Sequence, residues 1–172
     1  MSEWTQLIRD VPDFPRPGIV FKDIMPVLGK ASAFAAAIED MARPWRELPI
    51  DAVLAIEARG FLLGAPLARA LEVGLVPLRK PGKLPGILLE QRYALEYGTD
   101  ALVAQAGALA PGKRVLLVDD VLATGGTLLA ARALAQRLGA QIAGASVLME
   151  LTSLNGRARW TDAAPLHAAL VA

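Results

Sequence analysis

The stretch VLLVDDVLATGGTLLAARALAQRLG, Val115 to Gly139, restricts the fold of this chain more than any other. Four aliphatic residues, with β-branched Val115 and Val118, read as a strand buried on both faces. Two adjacent carboxylates, Asp119 and Asp120, close that run. A Thr-Gly-Gly-Thr turn follows, and then apolar residues at helical spacing up to Gly139, which predicts a helix ended by a glycine cap. Strand, loop and helix in this order set the two acids at the carboxyl end of a parallel strand. Open α/β sheets bind their ligands there.

The same alternation runs through the rest of the chain. ASAFAAAIEDMARPW predicts a helix with Ser32 as its N-cap, DAVLAIEA a strand, GFLLGAPLARALE a helix and GLVPLRK a strand. KPGKLPG is rich in proline and glycine and interrupts any regular pattern. After it, ILLEQRYALEYGTDALVAQ carries a Gly-Thr-Asp turn and reads as a two-stranded arm. KRVLLVDD is then the central strand, QIAGASVLMEL another, SLNGRARW a short helix and LHAALV an edge strand. Such alternation predicts an α/β fold, a mainly parallel twisted sheet flanked by helices. With 172 residues and no linker or repeat, a single domain over 1–172 is expected.

Composition narrows the chemistry. There is no cysteine, which removes disulfides, thiolate nucleophiles and sulfur-ligated zinc. The only histidine, His167, stands apart from every glycine-rich segment and reads as a partly buried residue of the last strand. A formal net charge of +1 offers no basic footprint for nucleic acid. The opening MSEWTQLIRD lacks the features of a signal peptide, and no apolar run approaches the length of a membrane span. A cytoplasmic protein is therefore expected. Catalysis would fall to carboxylates, lysines, arginines, backbone amides and a ligand-borne metal.

A helix that begins Gly-Gly-Thr offers unpaired backbone N–H groups and the positive end of its dipole. Glycine lets an anion approach the backbone closely, and Thr124 and Thr127 add hydroxyl donors. The segment Ala123, Thr124, Gly125, Gly126 and Thr127 is thus a candidate phosphate cradle. It is not a Walker loop, because no lysine follows the glycines. Asp119 and Asp120 accept hydrogen bonds and suit ribose hydroxyls or a metal-bound group. Alternation along a strand points them to different sides and gives them different roles.

VLLVDDVLATGGT resembles the phosphoribosyl-diphosphate (PRPP) signature of the type I phosphoribosyltransferases. DFPRPGIVFKDI, EARGFLLGAPLA, and RKPGKLPG followed by YALEYGTDAL narrow the resemblance to the adenine phosphoribosyltransferases. It covers the chain from Asp10 to Trp160; the tail TDAAPLHAALVA carries no family motif. The resemblance implies the type I fold, with a small N-terminal hood over residues 1–30, a flexible lid arm over 80–105 and the PRPP-binding strand, loop and helix over 115–139. It implies that adenine and PRPP give AMP and diphosphate, through an oxocarbenium-like transition state. Mg²⁺ would ride on the PRPP with no direct protein ligand, and the enzyme would be a homodimer.

The same resemblance distributes roles. Asp119, Asp120 and the cradle Ala123–Thr127 would hold the ribose and its 5-phosphate. Arg59 in EARG would serve catalysis and the diphosphate, beside a cis peptide bond expected between Glu57 and Ala58. Arg79, Lys80 and Lys83 would grip the leaving group. Glu96 matches the family's proton donor toward the base, and Tyr97 would help close the lid or present an aromatic face to the bound substrate. In PGIVFKD the Val20 carbonyl and Lys22 N–H would read the adenine edge while Phe21 stacks on the ring. Adenine presents a donor at its 6-amino group and an acceptor at N1, which that backbone pair complements.

Three rival readings remain at this level. The same scaffold serves other bases, such as hypoxanthine or xanthine, and GIVFKD argues against them. A PRPP-sensing regulator would want an added DNA-binding region or a basic face for RNA. An inactive paralogue would have lost acids, cations or the lid glutamate.

Overall fold

The computed structural model describes residues 3–94, 98–161 and 163–172. The chain divides into two compact units, Met1–Asp40 and Met41–Ala172.

In the first unit a 3₁₀ turn over Glu3–Leu7 precedes two antiparallel strands, β1 (Arg9–Pro12) and β2 (Val20–Asp23). The short helix α1 (Met25–Gly29) follows, and α2 (Ala31–Ala42) begins here. Trp4, Ile24, Val27 and Ala37 are buried, and the indole N–H of Trp4 donates to Asp40 at 2.8 Å. Ser32 is not the N-cap that its residue type suggested. The Phe34 N–H already bonds the Lys30 carbonyl at 2.9 Å, so the helix starts before Ser32 and encloses it. At the other end, Pro44 cannot continue the ladder, and the last three residues of the expected helix form a 3₁₀ turn, Arg43–Trp45.

The second unit is built on a five-stranded sheet in the order β4-β3-β7-β8-β9, with all four pairings parallel. Its strands are β3 (Ala52–Ile56), β4 (Gly74–Leu78), β7 (Arg114–Leu122), β8 (Gln141–Glu150) and β9 (Leu166–Val171). All of β3 is buried, as are Val115–Val118 of β7, which is why these stretches read as unbroken apolar runs. Helices α3 (Arg59–Ala70) and α4 (Gly126–Arg137) follow β3 and β7. α4 ends as expected. Gly139 takes φ +81°, its N–H bonds the Gln136 carbonyl at 2.9 Å, and the Ala140 N–H bonds the Ala135 carbonyl at 3.0 Å.

From β3 the chain steps to β4 on one side, and from β7 it steps to β8 and β9 on the other. The switch point of the sheet therefore lies between β3 and β7, where the two loops leading into α3 and α4 emerge together. The predicted arm is present as β5 (Leu88–Ala94) and β6 (Thr99–Gln105), paired antiparallel. It is not a free flap along its whole length. Ala101–Ala104 are buried, Leu102 and Ala104 belong to the main core, and Val103 bridges Arg79 in both directions at 2.7 and 2.9 Å. SLNGRARW forms two 3₁₀ turns rather than one helix, because Asn155 between them adopts φ +51°. The tail, which carries no motif, is ordered as the edge strand β9, with His167 partly buried opposite Ser146. Among the described residues no helix is long and apolar enough to cross a membrane.

Candidate active site

β7 continues two residues past the acids, to Leu122, so Asp119 and Asp120 stand just inside the strand end. Strand alternation sends successive side chains to opposite faces, yet the two carboxyls still interact with each other. Asp120 is 6% exposed and pairs with Arg59, whose Nε lies 2.7 Å from its Oδ2. Arg59 reaches it because α3 starts hard against β7. A Cβ on Gly60 would sit 3.1 Å from both the Val118 carbonyl and Asp119 Oδ1. Asp119 accepts the Asp120 N–H at 2.9 Å. Burial first, and the neighbouring Asp120 charge second, push the Asp119 carboxyl well above its ordinary range, while Arg59 pulls the other way. The two carboxyls are therefore placed unequally: Asp120 is paired with Arg59, while burial and the neighbouring Asp120 oppose the charge of Asp119.

The peptide between Glu57 and Ala58 is cis, as expected for this segment. Glu57 had no assigned role in the sequence, yet it organises the next loop. Its carboxylate accepts the Lys80 N–H at 2.7 Å and the Arg79 guanidinium at 3.3 and 3.4 Å. The Lys80 N–H, with help from Arg79, holds the Glu57 carboxyl below its usual range against the opposing effect of burial. Arg79 also donates to the Lys83 carbonyl at 3.2 Å and lies 5.8 Å over the Phe61 ring. Arg79, Lys80 and Lys83 thus occupy one loop, with Lys83 exposed.

Lys80 Nζ is held by Asp100 and by the Tyr93 hydroxyl, the latter at 2.9 Å. Tyr93 and Asp100 are register partners across the arm. Burial works against the Lys80 charge, but the bonds to Asp100 and Tyr93 outweigh it and raise its pKa. The Tyr93 hydroxyl also stands 3.5 Å from Thr127 Oγ1, which joins the arm to the start of α4. Sequence spacing carried no signal for Tyr93, Asp100 or Glu57, whose roles depend on partners brought close only by the fold. Glu96 and Tyr97 lie outside the described residues.

Ala123–Thr127 forms the loop expected of it. Gly125 is the residue before α4 and adopts φ +81°, a conformation that lets successive amides converge and that a side chain would oppose. The first N–H groups of α4 have no partner within the helix. Asp119, Asp120, Arg59, Arg79, Lys80 and the cradle all belong to the second unit and gather at the switch point.

Val20, Phe21 and Lys22 belong to the first unit. Val20 faces Pro12 in the ladder, and Pro12 has no N–H to give its carbonyl. Phe21 is half-buried and packs edge-on to Phe14, with ring centroids 5.2 Å apart. The Lys22 ammonium pairs with Asp10 at 2.7 Å. β2 is thus an extended segment whose Phe21 ring packs against Phe14.

Comparison with known proteins adds to this picture. Residues 27–162 match the phosphoribosyl transferase domain. An adenine phosphoribosyltransferase of Xanthomonas oryzae pv. oryzae is 60% identical over 169 residues, 98% of this chain and 91% of the relative. Among solved structures, the adenine phosphoribosyltransferase of Rhodothermus marinus superposes with a TM-score of 0.93 at 49% identity, covering 98% of this chain and 96% of the other. The Saccharomyces cerevisiae enzyme, solved with adenine and an imino-altritol bisphosphate, gives 0.91 at 38% identity, covering 98% and 97%. Parallel sheet, a glycine loop at the switch point and likeness along nearly the whole length agree, and this chain belongs to the phosphoribosyltransferase family.

Proposed function

We propose that the chain transfers the 5-phosphoribosyl group of PRPP to adenine, releasing AMP and diphosphate. The single observation that carries the chemistry is the meeting of the Gly125–Thr127 cradle with Asp119, Asp120 and Arg59 at the switch point of the sheet. The cradle amides and the Thr124 and Thr127 hydroxyls hold the 5-phosphate, and the two carboxyls accept the ribose hydroxyls. As the bond from C1 of the ribose to the diphosphate breaks, positive charge grows on the ring and negative charge on the leaving group. Arg59, Arg79, Lys80 and Lys83 stabilise the departing diphosphate. The lid residues Glu96 and Tyr97 keep water from the ribosyl cation, and Glu96 gives a proton to the base.

Mg²⁺ suits this site as a passenger of the substrate. Magnesium is commonly held by phosphates with few protein carboxylates, and among the described residues no group of three or more acids or histidines is placed to cage an ion. Asp120 is paired with Arg59, and burial and its neighbour oppose the charge of Asp119, so both suit hydrogen bonds to the sugar better than a cation. When bound, the ion neutralises the diphosphate. The cytoplasmic homodimer belongs to the same reading and is supported by the family resemblance.

Adenine is chosen by backbone groups. A 6-oxo purine would set O6 against the Val20 carbonyl and N1–H against the Lys22 N–H, leaving two groups unpaired at about 1–3 kcal/mol each. Purified protein, Mg²⁺ and PRPP are mixed with adenine, hypoxanthine, guanine or xanthine in turn, and nucleotide formation is followed. Adenine should be preferred by roughly 10⁴-fold in kcat/KM. Comparable turnover of a 6-oxo purine would remove the adenine assignment and leave the broader phosphoribosyl transfer standing.

A further inference from the structure

Two carbonyls of the loop before α4 accept hydrogen bonds, and a third lies against a glycine. The Gly125 carbonyl accepts the Leu129 N–H at 3.0 Å as the first bond of the helix. The Thr124 carbonyl accepts Arg159 Nη1 at 3.1 Å. The Ala123 carbonyl lies against Gly156, so closely that a Cβ built there would be 2.1 Å from its oxygen and 3.0 Å from the Gly125 nitrogen. In a trans peptide the C=O and the following N–H point in opposite directions. Whatever holds the carbonyl therefore aims the amide. Arg159 on the Thr124 carbonyl aims the Gly125 N–H, and the bare face of Gly156 lets the Ala123 carbonyl turn away so that the Thr124 N–H faces the other side.

Both residues lie on the 3₁₀ turn Gly156–Arg159, far from the loop in sequence. That turn has anchors of its own. Arg157 grips the buried Glu150 carboxylate at 2.5–3.0 Å and donates to the Leu166 carbonyl at 2.9 Å. The Trp160 indole donates to the Ala164 carbonyl at 2.8 Å, and its ring lies 5.4 Å from the Arg132 guanidinium of α4. The turn is thus anchored through Arg157 and Trp160, while the Arg159 guanidinium donates to the loop.

We infer that Arg159 and Gly156 are positioning residues of the phosphate site, acting through the Thr124 and Ala123 carbonyls to aim the loop amides at the 5-phosphate. This rests on the reading of Ala123–Thr127 as the phosphate cradle. Substitution of Arg159 should therefore damage phosphate recognition and spare the base and the fold.

The test compares Arg159→Met, Arg159→Lys and Gly156→Ala with Thr127→Ala, which removes a hydroxyl of the cradle itself. Calorimetry reads AMP and adenosine affinity, steady-state kinetics read KM for PRPP and for adenine, and thermal unfolding reads stability. Arg159→Met should weaken AMP binding and raise the PRPP KM by roughly 5- to 20-fold. Adenosine affinity, adenine KM, kcat and Tm should stay near those of the parent. Arg159→Lys, which keeps a cationic donor for the Thr124 carbonyl, should recover most of the loss, and Gly156→Ala should reproduce it. If Thr127→Ala weakens AMP binding while Arg159→Met does not, the positioning role is overturned and the cradle stands. If neither changes AMP binding, the cradle reading falls with it. Equal losses of AMP and adenosine affinity in Arg159→Met would mean general damage and would also overturn the inference.

Discussion

Replacing Arg59 by methionine keeps the aliphatic stem and removes the cation that faces Asp120. Asp120 is 6% exposed and sits 2.7 Å from Arg59 Nε, so the change strands a carboxylate beside a second one. Breaking one side of a fully buried pair costs about 3–5 kcal/mol. The Arg59 side chain is 31% exposed, and water reaching it lowers the expected loss to about 2 kcal/mol at pH 7. For a chain of this size that is a fall in Tm of roughly 4–8 °C. The loss must depend on pH, with a definite sign. The Asp119 carboxyl already lies well above its ordinary range, and removing Arg59 takes away an influence that lowers it. The folded variant then binds more protons than the unfolded chain, so its stability declines as pH rises from the ordinary carboxylate range through the raised folded value. Below that range the penalty closes. Thermal unfolding without ligand, from pH 4.5 to 8, reads the gap between parent and Arg59→Met. Adding Asp120→Asn to the variant removes the stranded charge and should recover much of the loss at pH 8. A gap that is constant across the range, or a double variant no more stable than the single one, would refute the electrostatic account.

At Gly64 on α3, an added Cβ would lie 2.5 Å from the Ala55 Cβ on β3, so Gly64→Ala should cost about 1–3 kcal/mol in urea unfolding and Ala55→Gly should relieve it. Glu96→Gln should lower kcat by roughly 10²–10⁴-fold with both KM values nearly unchanged. A raised KM at normal kcat would instead make Glu96 a latch of the lid.

The centre of the sheet was legible because β3 and most of β7 are buried. DAVLAIEA and KRVLLVDD have no polar alternation to confuse them, and burial of β3 and β7 is what an apolar run encodes. Gly139 was legible for a similar reason, since a helix end in the left-handed region leaves little choice of residue. Ser32 misled because capping depends on which carbonyl takes the first bond, and the Lys30 carbonyl took it. SLNGRARW misled because a single left-handed Asn155 splits the segment, which composition does not reveal. In the site, the residues that carry motifs were visible and their partners were not. Asp119, Asp120 and Thr124–Thr127 announce themselves at one place in the chain. Glu57 meeting Arg79, Asp100 meeting Lys80 and Arg159 meeting Thr124 are products of the fold, joined across 20 to 35 residues.

Three of the cations at the switch point each carry a carboxylate: Arg59 with Asp120, Arg79 with Glu57, and Lys80 with Asp100. The protein thereby supplies its own counterions. An empty pocket of bare cations would collect any passing anion and would weaken steeply with ionic strength. Here an incoming anion must outcompete a tethered carboxylate that suffers no dilution. Orthophosphate or chloride offers one weak point of exchange. A polyphosphate chelating a metal and anchored at its far end by a sugar offers several at once. With the diphosphate bound as proposed above, the internal counterions would act as a threshold to small anions and would close back on their cations when the leaving group departs.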